Sequence, residues 1–419
     1  MEIMNYSKVS VKKTCRLCLH NDLKKVVDFP LTYGGEQLKN NIYDIEPELI
    51  PIDLYQCTSC SHVQVIHVPP PSVLFGEKYS FMTRDNPELV SHFKSVVEYF
   101  IKNHTSNINF AFEIGSNDGV FLELLRDFTG CSILGIDPSQ EPVNIARKYN
   151  INTVLDYFEL SKVDNLVNKY GQPDMVVANN VFAHMDDIRG VLKGIQLILK
   201  KDGYFLFEVS YLKDVVDKYL IGTIIHEHLS IHSVYSLIPF LNEFGLNLVD
   251  ARHIDNIQGG SIVGIAKKID DVQLSESVEK IVKNEKKSGI LTIDGMREFN
   301  TKLHQKMELF KGKINSVILN NRVIGFGASR SAPLIIDILG LKDKIEYVID
   351  NSPQKIGKYL PIGNIPIINI NDHDKFKENY VYVILGWAQT KRIVSKIKLI
   401  GNPCYIVTIF PNYEIIEIK

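Results

Sequence analysis

The sequence predicts an α/β protein in which two mostly parallel sheets follow a small cysteine-bearing N-terminal segment. Three observations carry this expectation. Short apolar strands alternate with helical stretches from about residue 72 to 268, as βαβ units require. The alternation resumes beyond residue 320, and two tight cysteine pairs precede both stretches. At 419 residues the chain exceeds one ordinary domain, and its texture divides it into residues 1–70, 71–268 and 269–419.

In the first segment, Cys15-x-x-Cys18 and Cys57-x-x-Cys60 are two knuckles about forty residues apart. A C-x-x-C turn aims two thiolates at one point, and two such turns complete a closed tetrahedral shell. A structural Zn2+ held by Cys15, Cys18, Cys57 and Cys60 is expected. Cys131 and Cys404 lie in strand-like runs and read as buried filler. Val68-Pro69-Pro70-Pro71 reads as a stiff connector.

Charge and hydropathy exclude several classes. A net charge of -2 with 23% charged residues leaves no general basic surface for nucleic acid. Charges interrupt every apolar run before it reaches the length of a membrane span. The N-terminal residues hold no apolar stretch of signal-peptide length. A cytoplasmic protein, monomer or homodimer, with a small-molecule substrate is therefore expected.

The central segment has strands expected at Phe110–Ile114, Ser132–Ile136, Met175–Ala178 and Tyr204–Glu208. A closing hairpin is expected at Leu246–Ala251 and Ser261–Lys267. The most informative stretch is Glu113-Ile114-Gly115-Ser116-Asn117-Asp118-Gly119, where a strand ends at an acid and a small-residue turn opens a helix at Val120. Glycine lets backbone approach a ligand, and the helix N-terminus favours an anionic group. The three-glycine dinucleotide signature is absent; the spacing resembles motif I of the seven-stranded class I S-adenosylmethionine methyltransferases. Candidate cofactor residues are then Glu113, Gly115, Asn117 and Gly119 in the turn. Asp137, at the end of the next strand, is suited to ribose hydroxyls. Tyr157 and Phe158 are placed to flank an adenine, and Asn179 closes the fourth strand, ahead of Asn180 and His184.

After the fifth strand comes Ile225-His226-Glu227-His228. It lacks the helical H-E-x-x-H spacing of a zinc site and reads better as a base, an imidazole oriented by a neighbouring carboxylate. The third segment begins with helical lysine- and glutamate-rich sequence from Leu274 to Leu319. Strands then follow at Val323–Gly327, Tyr347–Asp350 and Tyr382–Leu385, forming a Rossmann-like α/β unit.

The ordered set of cysteine pairs, Lys78-Tyr79-Ser80-Phe81, EIGSNDG, NNVFAH, HEH, Gly259-Gly260-Ser261 and the Gly325–Ser329 and Asp350–Lys358 runs resembles the nucleotide-sugar C-methyltransferases. The similarity is to those acting on dTDP-linked 4-keto-deoxysugars. It implies an N-terminal zinc domain, a class I methyltransferase domain and a C-terminal Rossmann-like domain that grips the nucleotide. It also implies S-adenosylmethionine as cofactor, His228 as base with Glu227 beside it, and Tyr79 and His184 as donors to an enolate oxygen. Asn180 would position the sugar or the methyl, and Arg330 and Lys355 would meet phosphate. The family usually has tyrosine where this chain has Ile225, and a lysine-glycine-asparagine run near Arg330–Pro333; both departures bear on the choice of sugar and nucleotide. Alternatives are an O- or N-methyltransferase acting on another small acceptor, and a non-catalytic nucleotide-sugar-binding protein.

Overall fold

The computed structural model describes residues 9–74, 81–270, 273–373 and 380–418. Tyr79 lies outside the described residues.

Seven strands build the central sheet: β1 (Phe110–Ile114), β2 (Ser132–Asp137), β3 (Thr153–Leu155), β4 (Met175–Asn179), β5 (Tyr204–Ser210), β6 (Asn247–Ile254) and β7 (Ser261–Lys267). Their spatial order is β3-β2-β1-β4-β5-β7-β6. Strands β1 to β5 run parallel, while β7 lies antiparallel to both β5 and β6. Every residue of β4 is buried, as its apolar run requires with both faces of the sheet covered. The order reverses between β1 and β4, and ligands of open α/β sheets bind at the carboxyl ends beside such a reversal.

Two helices fix that edge. Helix α1 (Pro87–Asn103) starts where Asn86 accepts a hydrogen bond from Leu89 N and Pro87 takes the first turn, where its missing N–H costs nothing. It buries Leu89, Phe93, Val96, Val97 and Phe100 along one face. Helix α2 (Val120–Thr129) follows directly on Gly119, whose φ is 78°.

The cysteine-bearing segment forms a four-stranded antiparallel sheet with one borrowed strand. Leu23–Val27, Leu54–Cys57 and Val63–Val65 are joined at the edge by Ser230–Ile231, just beyond the HEH loop. The expected proline connector is more ordered than a spacer: His67–Val68 pairs with Ser10–Val11, and Pro71 opens a short helix.

The lysine-rich stretch forms α3 (Glu276–Ser288) and α4 (Ile293–Ile318). Helix α4 buries Met296, Phe299, Leu303, Met307, Phe310 and Ile314, a single stripe at helical spacing. A second seven-stranded sheet follows: β8 (Arg322–Phe326), β9 (Ile345–Ile349), β10 (Tyr359–Leu360), β11 (Ile365–Ile368), β12 (Tyr380–Ile384), β13 (Cys404–Thr408) and β14 (Glu414–Ile418). Its order is β10-β11-β9-β8-β12-β13-β14, with a parallel centre and antiparallel edges.

Candidate active site and zinc site

The two cysteine knuckles share one turn geometry. Leu19 N donates to Cys15 O at 3.0 Å, and Ser61 N donates to Cys57 O at 3.0 Å. Leu19 and Ser61 both adopt positive φ, 63° and 62°. The four thiol sulfurs lie within 4.8 Å of one another, with Cys15–Cys60 and Cys18–Cys57 each at 3.5 Å. Tetrahedral zinc at about 2.3 Å from each sulfur places its ligands roughly 3.8 Å apart, so the set fits the ion. A hydrogen bond from Cys60 pulls the Cys15 thiol down to about 5, while burial pushes Cys57 up to about 11. Four thiols this close cannot all ionise without a cation among them.

Arg16, between the first two cysteines, carries this site toward the central sheet. It is 1% exposed, and its guanidinium donates to Val65 O at 2.6 Å, Leu229 O at 3.1 Å and Asp186 at 3.0 Å. Nothing in the spacing of the cysteines singles it out.

At the carboxyl ends of β1 and β4 lies a cavity of about 570 Å3. The β1 turn shapes its floor. Gly115 has φ 66°, and a Cβ there would sit 2.4 Å from Val181 Cγ2, so only glycine lets the turn close. Of the residues expected to hold the cofactor, Glu113, Gly115, Asn117 and Asp137 line the cavity, and so do Tyr157, Phe158 and Asn179. Gly119 does not; it starts α2 against Ile151.

The lining is mostly apolar, and its carboxylates are Glu113, Asp137, Asp156 and Asp186. Asp137 accepts Asn117 N at 2.9 Å and Ser139 N at 2.8 Å. Glu113 accepts Asn179 Nδ2 at 3.3 Å, and its other oxygen has no hydrogen-bond partner among the described residues. Burial raises the pKa of Glu113 well above the carboxylate range; the Asn179 hydrogen bond opposes this, and Asp118 and Asp137 add to it. A buried carboxyl with an open acceptor suits an ammonium group, and S-adenosylmethionine carries one beside its sulfonium. The Asn117 side chain ties two other lining residues to the turn, accepting Thr83 N at 3.0 Å and donating to Phe81 O at 2.9 Å. Its backbone sits in the turn at φ 49°.

Asn180 and His184 also line the cavity. Asn180 adopts φ 54°, and its N–H donates to Glu208 O at 2.9 Å. The His184 ring centroid lies 5.0 Å from that of His228. His228 is outside the cavity lining, one ring beyond His184. Its Nδ1 meets Thr223 O at 2.6 Å. A carbonyl only accepts, so Nδ1 carries the proton and Nε2 keeps its lone pair. Burial, opposed by the Thr223 bond and reinforced by Arg330, lowers the His228 pKa to about 4. His184 is lowered by burial, then by His228 and Arg330. Both rings are neutral at ordinary pH.

Two sequence expectations are corrected here. The group that orients His228 is the Thr223 carbonyl, because the loop folds back five residues, and not Glu227. Glu227 instead pairs with Arg330, and Lys355 pairs with Glu36 while donating to Ala328 O at 2.9 Å. Both cations expected to meet phosphate are thus engaged with carboxylates. The first histidine of the motif, His226, meets Pro51 O at 3.2 Å and is 1% exposed. Sequence reasoning also missed Gln258, Leu229 and Asp186 as cavity-lining residues.

Comparison with known proteins places this geometry. The family model described as "Putative zinc binding domain" matches residues 15–75, "Methyltransferase domain" matches 109–251, and "C-methyltransferase C-terminal domain" matches 256–409. C-methyltransferase NovU of Streptomyces niveus is 28% identical over 393 residues, 92% of each chain. Ubiquinone biosynthesis O-methyltransferase of Colwellia psychrerythraea is 24% identical over 156 residues, 34% of this chain and 62% of its own. Magnesium protoporphyrin IX methyltransferase of Synechocystis PCC 6803, solved with bound S-adenosylmethionine, covers 43% of this chain and 79% of its own at 11% identity and a TM-score of 0.33. Matched zinc-binding, methyltransferase and C-methyltransferase C-terminal regions follow one another in this order along the chain, which is an S-adenosylmethionine-dependent methyltransferase.

Proposed function

We propose that this methyltransferase alkylates a carbon next to the ketone of a nucleotide-linked 4-keto-deoxysugar, and that His228 is its base. S-adenosylmethionine, when bound, supplies an electrophilic methyl on sulfonium. The observation that carries the reading is the His228 tautomer: with Nδ1 held by Thr223 O, Nε2 is the nitrogen able to take a proton. A ketone acidifies the adjacent C–H, so abstraction by Nε2 leaves an enolate whose carbon is the nucleophile. His184, which lines the cavity beside His228, and Tyr79 are the proposed donors to the enolate oxygen, and Asn180 positions the acceptor. Glu113, Asp137, Asn179, Tyr157 and Phe158 hold the cofactor in this reading, with the turn of Gly115, Asn117 and Gly119 shaping its seat. The zinc site braces the N-terminal region, residues 1–70. Residues 71–268 carry the transfer, and residues 269–419 recognise the nucleotide. NovU, a C-methyltransferase matching over nearly the whole chain, supports transfer to carbon.

The test is mass spectrometry of a panel of nucleotide 4-keto-deoxysugars incubated with the enzyme and S-adenosylmethionine in heavy water. A product gaining one carbon-bound methyl is expected. His228→Ala should abolish both methylation and deuterium uptake while leaving S-adenosylmethionine affinity, measured by calorimetry, within about twofold. Loss of cofactor binding in step with turnover would remove His228 from the role of base.

A further inference from the structure

Four charged side chains from three parts of the chain form two ion pairs. Glu36 comes from the excursion between the cysteine pairs, Glu227 from the HEH loop, and Arg330 and Lys355 from the loops after β8 and β9. Arg330 pairs with Glu227, and Lys355 pairs with Glu36. The Glu227 side chain is 1% exposed, and one of its oxygens has no hydrogen-bond partner among the described residues. The C-terminal region touches this loop a second time at Gly222, where a Cβ would sit 2.3 Å from Trp387.

These neighbours act in opposite senses. Burial raises the pKa of Glu227 to about 7; Arg330 resists that rise, and Glu36 adds to it. The Arg330 charge also disfavours the cationic forms of His184 and His228. A single guanidinium therefore bears on three titratable groups at once.

The geometry points to Arg330 as a positioning residue for methyl transfer: delivered by the C-terminal region, it pairs with the buried Glu227 carboxylate and so fixes the loop that carries His228. This rests on the reading of His228 as base, because a base must be unprotonated when substrate arrives. It also makes the seating of the C-terminal region a condition for activity in the central one.

The experiment compares wild type, Arg330→Met, Arg330→Lys, Glu227→Gln and the Glu227→Gln/Arg330→Met double variant. The first arm needs no substrate and reads the thermal midpoint from pH 6 to 9. A carboxyl whose folded pKa lies above its unfolded value contributes stability that is complete below the unfolded pKa and lost as pH rises through the folded one. Removing Arg330 raises the folded pKa of Glu227 further, so Arg330→Met should fall progressively below wild type as pH passes 7. Between Glu227→Gln and the double variant the gap should be independent of pH. The second arm reads the pH profile of methyl transfer on the accepted sugar. Arg330→Met should move the acidic limb up by about one unit and lower kcat roughly tenfold or more, with KM for S-adenosylmethionine unchanged. Arg330→Lys should recover part of the loss. A pH-independent midpoint difference and an unmoved acidic limb would overturn the proposal. Full turnover by His228→Ala would instead remove the base assignment, leaving the midpoint arm to judge the ion pair alone.

Discussion

The two seven-stranded sheets carry the same turn and use it differently. In the central sheet Gly115 N donates to Ile136 O at 2.7 Å, and Asp137 accepts two backbone N–H groups. In the C-terminal sheet Gly327 N donates to Ile349 O at 2.8 Å, and Asp350 accepts Ala328 N at 2.7 Å and Ser352 N at 2.8 Å. Around that shared frame the side chains diverge. Two residues before the turn glycine stands Glu113 in one sheet and Gly325 in the other. A Cβ at Gly327 would sit 2.7 Å from the Gly386 backbone, so the turns after β8 and β12 are pressed together. Arg330 and Lys355 then leave their loops toward carboxylates of other regions. A strand, a glycine turn and a closing acid therefore make a scaffold, and what it binds is decided by the residues that open or fill the cleft.

The comparison breaks or sharpens under three substitutions. The largest effect is expected from Gly115→Ala. A left-handed backbone costs a non-glycine residue about 1–2 kcal/mol, and the new Cβ also displaces Val181, so S-adenosylmethionine affinity by calorimetry should fall roughly a hundredfold. Near-normal affinity would mean that the turn does not shape the cofactor seat. Glu113→Gln should fold normally, since the amide needs no ionised form in a buried place, yet bind the cofactor about tenfold more weakly for want of a charged acceptor. Asp350→Asn should have the smallest effect on cofactor binding, none beyond error, although losing a charged acceptor of two N–H bonds lowers stability by about 1–3 kcal/mol. A drop in cofactor affinity there would show that the second turn serves the first site.

The local features were legible in sequence. The β1 strand, the turn glycine and Asp137, 22 residues after that glycine, are neighbours through one βαβ unit, and the two C-x-x-C turns announce their own geometry. The second sheet was legible as strand-helix alternation from Val323 onward. What sequence did not reveal depends on contacts across many residues or on loop conformation. Arg330 and Glu227 are 103 positions apart, and no periodicity links them. The Thr223 carbonyl displaced Glu227 as the partner of His228 because the loop turns back on itself, and a backbone acceptor leaves no mark in residue type. Two residues, Ser230 and Ile231, are too few to announce a strand, and Arg16 reads only as the spacer between two cysteines.

The borrowed strand has a consequence for anyone recombining these proteins. Ser230–Ile231 belongs by chain position to the methyltransferase sheet and by hydrogen bonding to the cysteine-bearing sheet, where it pairs with Val63 and Gln64. Exchanging the first seventy residues for those of a relative moves one half of that pairing and leaves the other behind, along with the Leu229 carbonyl that Arg16 grips. A viable chimera therefore has to carry the 223–232 loop together with its N-terminal segment, as one inherited unit split across the sequence.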